Sequence, residues 1–144
     1  MCSAAAIYGH DGSCWAFSPN FPELTTYNYE IEDMGGNKTQ VPVNEVEVAK
    51  LVGEGQRRPA GDAGIRLGNA KYMFVRHDAD GLDVPYTMLT KQGGGGAVIA
   101  NCNTASIIAF VEKEAKNSAG QDQTTGEAVP QVVDMAKFLK DSNY

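Results

Sequence analysis

Gly64-Ile65-Arg66-Leu67-Gly68-Asn69-Ala70-Lys71-Tyr72-Met73-Phe74-Val75-Arg76 holds two β-like runs broken by a glycine–asparagine turn. The same alternation of apolar run and turn continues toward the C-terminus. Strands are expected near 63–67, 70–76, 84–91, 96–102 and 105–111. The breaks carry turn residues: Gly68-Asn69, Asp78-Ala79-Asp80-Gly81, the four glycines 93–96, and Asn103-Thr104. Short strands at this spacing form an antiparallel meander.

Upstream, residues 4–9 and 13–18 are β-like and flank His10-Asp11-Gly12. An Asp-Gly pair is a strong hairpin signal, because glycine tolerates the positive φ of a tight turn. Residues 27–34 and 38–43 can pair across Gly35-Gly36-Asn37 as an extra hairpin. Asn44 then reads as a helix N-cap with Glu47 three residues on, and Gly53 and Gly55 end a short helix over 45–54. Downstream of the meander, 112–126 is a polar surface loop. Residues 127–142 form an amphipathic helix with Val129, Val132, Val133, Ala136 and Leu139 on one stripe. Pro130 is expected in its first turn, where a missing N–H costs no hydrogen bond. The reading is α+β: one domain over 1–144, a single antiparallel sheet with helices packed on it, and no repeat or linker.

Bulk composition narrows the function. The chain has 144 residues, 42% hydrophobic and 21% charged, which suits one globular core. The start has no basic segment and does not read as a secretory signal. Three cysteines, Cys2, Cys14 and Cys102, stand far apart. They suggest neither a disulfide framework nor a zinc knuckle and read as reduced cytosolic thiols, with Cys14 and Cys102 as small core residues. A net charge of −6 repels nucleic acid and anionic membrane, which leaves a protein or a neutral ligand as partner.

A reaction centre is hard to assemble. The histidines, His10 and His77, sit in a turn and at a strand end. A Cys-His dyad would need Cys14 or Cys102 and an orienting group, which nothing local supplies. The glycine run 93–96 follows Lys91 and precedes a strand, so it lacks the helix that a phosphate loop opens. Asp78, Asp80, Glu112 and Glu114 read as solvated loop charges. No catalytic residue, metal ligand or cofactor is expected.

Three ordered patterns resemble the profilin family. Ala5-Ala6-Ile7-Tyr8-Gly9-His10-Asp11-Gly12-Ser13-Cys14-Trp15-Ala16 is similar to its first hairpin. The stretch from Gly64 to Arg76 is similar to its G-x-x-L-G-x-x-K-Y-x-x-x-R strands. The glycine turn at 93–97, two strands, a polar loop and a last helix ending in Leu139 and Tyr144 complete the set. The insertion at 25–43 and the loops at 78–83 and 112–126 look most like ciliate and apicomplexan profilins.

The resemblance implies a sheet sandwiched between helices and a cytoplasmic, cytoskeletal protein that binds monomeric actin 1:1 and regulates its polymerisation. It also implies proline-rich partners such as formins. Actin contacts carried over are Lys71, Met73, Phe74 and Arg76 on one strand and Lys91 at the glycine turn. Ile99 and Asn101 lie on the next strand, and Thr124, Gly126, Val129 and Asp134 around the last helix. Flat alternation sets Lys71, Met73 and Val75 against Tyr72, Phe74 and Arg76, so Met73 and Phe74 face one partner only if an edge, twist or bulge intervenes. The polyproline residues implied are Trp15, Phe138, Leu139 and Tyr144.

Family members begin with a helix that completes this aromatic platform. Here the sequence starts at the first strand, so that helix is expected to be missing and proline-rich binding to be weakened. Lys71, Arg76, Lys91 and Arg57-Arg58 could meet phosphoinositides, against which the net charge argues. A monomer is expected. Two other classes stand beside this reading: a small sensor or trafficking module of similar architecture, and a cysteine enzyme. The first differs in whether Lys71, Arg76 and Lys91 converge with the start of the last helix.

Overall fold

The computed structural model describes residues 4–19, 21, 24–56, 65–68, 70–78, 84–91, 95–111 and 125–143, with the backbone alone at 125–127. In chain order the elements are β1 (Ala4–Gly9), β2 (Cys14–Phe17), β3 (Thr26–Glu32), β4 (Lys38–Asn44), α1 (Glu45–Gly53), β5 (Ile65–Leu67), β6 (Ala70–Asp78), β7 (Tyr86–Lys91), β8 (Gly96–Asn101), β9 (Ala105–Val111) and α2 (Thr125–Asp141). The expected meander is present as β5 to β9. It extends through β1 to β2, giving a seven-stranded antiparallel sheet in the order β2-β1-β9-β8-β7-β6-β5. Strands β3 and β4 form a separate hairpin with an unbroken register from Thr26 opposite Asn44 to Glu32 opposite Lys38.

Alternation along the central strands divides the core in two. Ala97 and Ile99 of β8, with Ile108 and Phe110 of β9, pack with Val48, Ala49 and Val52 of α1. Val98, Ala100, Ile107 and Ala109 pack with Val129, Val132, Val133 and Ala136 of α2. The helices therefore lie on opposite faces, and β8 and β9 are buried on both. That is why these strands read as nearly continuous apolar runs rather than as alternating ones. Each fully buried Val, Leu or Ile stabilises the fold by about 1.5–3 kcal/mol.

Local chemistry sets the ends of the elements. The Gly9–Ser13 turn closes as its Asp-Gly pair foretold: Gly12 has φ of +99°, and Ser13 N–H donates to Asp11 Oδ1 at 2.9 Å. Glu47 N–H donates to Asn44 Oδ1 at 3.3 Å, which makes Asn44 the cap of α1. Gly55, at φ of +98°, ends α1 by donating to the Val52 carbonyl.

Two expectations need correction. Helix α2 begins at Thr125 rather than 127, so Pro130 lies past the first turn, where its ring removes one bond of the helix ladder. Cys14, on the edge strand β2, is exposed; of the two expected core thiols, Cys102 alone is buried.

Candidate functional site

Strand β6 holds the residues on which a partner surface turns. Phe74 pairs with Leu89, but the next pair is Arg76 with Met88, so Val75 and Arg76 together face one position of β7. This is a β-bulge, and it resets the alternation. Met73 pairs with Thr90 and Arg76 with Met88, and Met88 packs on the α2-side core. Lys71, Met73 and Arg76 thus share the α2 side of the sheet, with Val75 at the bulge beside them. Flat alternation had set Arg76 against Lys71 and Met73; the extra residue overturns that. Met73 is 55% and Val75 46% exposed. Phe74 turns the other way and packs on the α1-side core.

The remaining expected contacts separate. Lys91 pairs with Tyr72, whose side chain is on the α1 side, at the far end of β7. Ile99 is wholly buried beneath α1, which withdraws it from the surface. Asn101 is engaged internally: its Nδ2 donates to the Lys50 carbonyl at 2.9 Å, and its Oδ1 accepts from Ser106 Oγ at 2.7 Å. Val129 is buried against the sheet, while Asp134 is exposed on α2. Gly126 lies in the first turn of α2. Thr124, Arg57 and Arg58 fall outside the described residues. Lys71 and Arg76 are therefore together, and Lys91 is not with them.

A second bulge lies on β2. Ile7 pairs with Ala16 and Tyr8 with Cys14, so Trp15 is the extra residue. Its indole lies against Gly9, where an added Cβ would come within 2.7 Å of Trp15 Nε1; glycine there permits the close approach. Trp15 is 42% and Phe138 65% exposed, and Leu139 packs on the α2-side core. Tyr144 falls outside the described residues. Between α2 and β1 runs an apolar groove of about 360 Å³ lined by Ala5, Ile7, Ala16, Ile107, Val132 and Met135, among others.

Sequence reasoning missed the polar groups of the α1 side. Glu45 is fully buried. Its Oε1 accepts from Thr25 N–H at 2.9 Å and its Oε2 from the Tyr27 hydroxyl at 3.1 Å. Arg66 Nε donates to the same hydroxyl at 3.2 Å, and its guanidinium lies 4.2 Å from the Tyr29 ring centre. Burial raises the Tyr27 pKa, which keeps its hydroxyl a donor. Nothing in a first-turn glutamate distinguishes such an anchor from an ordinary solvated helix-end acid.

Thr87 is also buried. Its hydroxyl donates to the Val52 carbonyl at 2.6 Å, so it must accept from His77 Nδ1, 2.8 Å away. By the same logic Ser106 gives its proton to Asn101 and accepts from His10 Nε2 at 3.1 Å. Burial, with Lys50 second, lowers the His10 pKa. These contacts tie strands to α1, and the Thr87 and Ser106 hydroxyls, which accept from the histidines, are not activated by them as nucleophiles. Among the described residues no group of three His, Cys, Asp or Glu could hold a metal ion, and no helix is long and apolar enough to cross a membrane.

An antiparallel sheet between two helices, with exposed apolar and cationic side chains gathered on one side, defines a class of small α+β binding proteins. The family model described as Profilin matches residues 1–144. The chain belongs to the profilin family, and it is an actin-binding regulator of actin polymerisation. Among solved structures it is similar to Acanthamoeba castellanii profilin IA, at 20% identity over 99% of this chain and 88% of that one, with a TM-score of 0.59. It is also similar to mouse profilin IIa in complex with a double repeat from the FH1 domain of mDia1, at 19% identity over 99% and 89%, with a TM-score of 0.62. At such identities the likeness establishes the fold.

Proposed function

We propose that this profilin meets monomeric actin with the α2-side surface of β6, formed by Lys71, Met73, Val75 and Arg76, with Asp134 of α2 and the first turn of α2 around Gly126 at its margin. The observation that carries the reading is the bulge at Val75, which gathers two cations and two apolar side chains on one exposed surface. Apolar contact supplies affinity, and the cations steer the protein to an acidic partner. Lys91 acts from the sheet end, and Thr124 from the segment before α2. Phe74, Ile99, Asn101 and Val129 support the surface from within. Pyrene-actin polymerisation tests this: the wild type slows spontaneous assembly, and Lys71→Glu/Arg76→Glu does not. Equal slowing by both proteins would refute the surface.

The mouse relative's complex supports a second contact, with proline-rich segments, in the groove between α2 and β1, with Trp15 of β2 and Phe138 of α2 exposed on the flanking elements. A rigid polyproline ridge docks on exposed aromatic and apolar surface at low entropic cost. Trp15, the single tryptophan, reports it: its fluorescence should change on titration with poly-L-proline, and an unchanged signal would remove this contact. The whole chain acts as one domain in the cytoplasm and catalyses no covalent chemistry. The β3–β4 hairpin supports its grouping with ciliate and apicomplexan profilins.

A further inference from the structure

We infer that Tyr86 is a positioning residue that holds Arg76 ready for a carboxylate of the partner; this rests on the actin surface proposed above. Tyr86 is 2% exposed, in the α2-side core with Val98, Ala100 and the apolar stripe of α2. Its ring is therefore fixed. Arg76 Nη2 donates to the Tyr86 hydroxyl. The guanidinium carbon lies 5.6 Å from the ring centre, within cation–π range. Arg76 is nonetheless exposed. One rigid, buried side chain thus grips an exposed cation.

The bulge makes this possible. Arg76 lies opposite Met88, and Tyr86 is two residues further along the same side of β7. Without the extra residue, an arginine at this number would point toward α1 and could not reach Tyr86.

A guanidinium has five N–H donors in a planar fork. Tyr86 engages one and fixes the plane, and the others remain for a carboxylate held by two parallel bonds. An unheld arginine loses rotamer freedom on binding, and Tyr86 meets that cost in the fold. Lys71, on the same side, has no such clamp among the described residues. It contributes as a mobile point charge.

The test is a double-mutant cycle on full-length protein, with the dissociation constant for monomeric actin as readout and thermal melts as a check on folding. Tyr86→Phe keeps the ring and removes the hydroxyl; it should weaken binding about fivefold, as expected for one hydrogen bond. In an Arg76→Ala background the same change should do nothing. Arg76→Lys should bind nearly as poorly as Arg76→Ala, because an ammonium cannot fork a carboxylate. If Tyr86→Phe weakens binding equally in both backgrounds, or has no effect in the wild type, the positioning role is overturned while the surface stands. If Arg76→Lys binds like the wild type, the carboxylate fork is overturned. If Arg76→Ala binds as well as the wild type, the surface reading itself fails.

Discussion

The two sides of the sheet are finished differently. On the α1 side the β3–β4 hairpin adds a second layer, with Tyr27, Tyr29, Ile31 and Val41 packed on the core, and buried polar groups are tied off inside. On the α2 side, among the described residues, a single helix covers the middle of the sheet, and Met73, Val75, Met135 and Phe138 stay exposed. The more covered α1 side, where Phe17 of the edge strand β2 is still exposed, is where substitutions should cost stability. The open side is where they should cost binding.

The largest break in that contrast should come from Glu45→Ala. It removes the acceptor that the Thr25 amide and the Tyr27 hydroxyl share, leaves that hydroxyl with Arg66 alone, and unpins the hairpin. A loss of about 3 kcal/mol is expected for removing a buried, multiply bonded carboxylate. Urea unfolding measures it, and a loss under 1 kcal/mol would mean the hairpin does not depend on this anchor.

Gly53→Ala comes next. Its Cβ would lie 2.6 Å from Asn101 Oδ1, and that amide is held on both sides, so overpacking should cost about 2 kcal/mol. An unchanged melting temperature would show that α1 can shift freely over Asn101.

On the open side, Val75→Glu should leave the melt unchanged and weaken actin binding about tenfold, or about 1.4 kcal/mol, by putting a negative charge among the cations. A variant that loses stability instead would mean the bulge is a packing element and not a contact.

The smallest effect is that of pH. His10 has a folded pKa below 6.5, so as the pH falls through 6.5 the unfolded chain takes up a proton that the folded chain resists. Stability therefore declines from pH 6.5 toward the folded value. His10→Gln can still donate to Ser106 and cannot titrate, so it should flatten this slope. A slope that persists in the variant assigns it to other groups.

Much of this architecture was legible in the chain. Asp11-Gly12, the Asn44 cap and the Gly53/Gly55 stop mark their elements through backbone chemistry that few other residues supply. The two bulges were not legible, because Val75 and Trp15 carry no glycine or other local mark; their placement comes from the register of neighbouring strands. That is why strict alternation misplaced Arg76. The clamp at Tyr86 was invisible for the same reason: it depends on which residue of β7 lies two places from a bulge. Ile99 and Asn101 show the converse limit. A contact carried over by resemblance gives no sign of whether the side chain points inward, and here both do.

The pairing of β1 with β9 also governs how the protein is made. Strand β1 lies in the sheet beside β9, the described strand furthest from it along the sequence. Until β9 has emerged, β1 and β2 are an isolated two-stranded hairpin, marginal in water, with Trp15 and Phe17 uncovered. Neither the sheet nor the α2-side core can close until β9 and α2 have emerged. The long-range closure makes folding slow beside that of a helical bundle of equal length, and the waiting N-terminal hairpin is the segment a chaperone would hold.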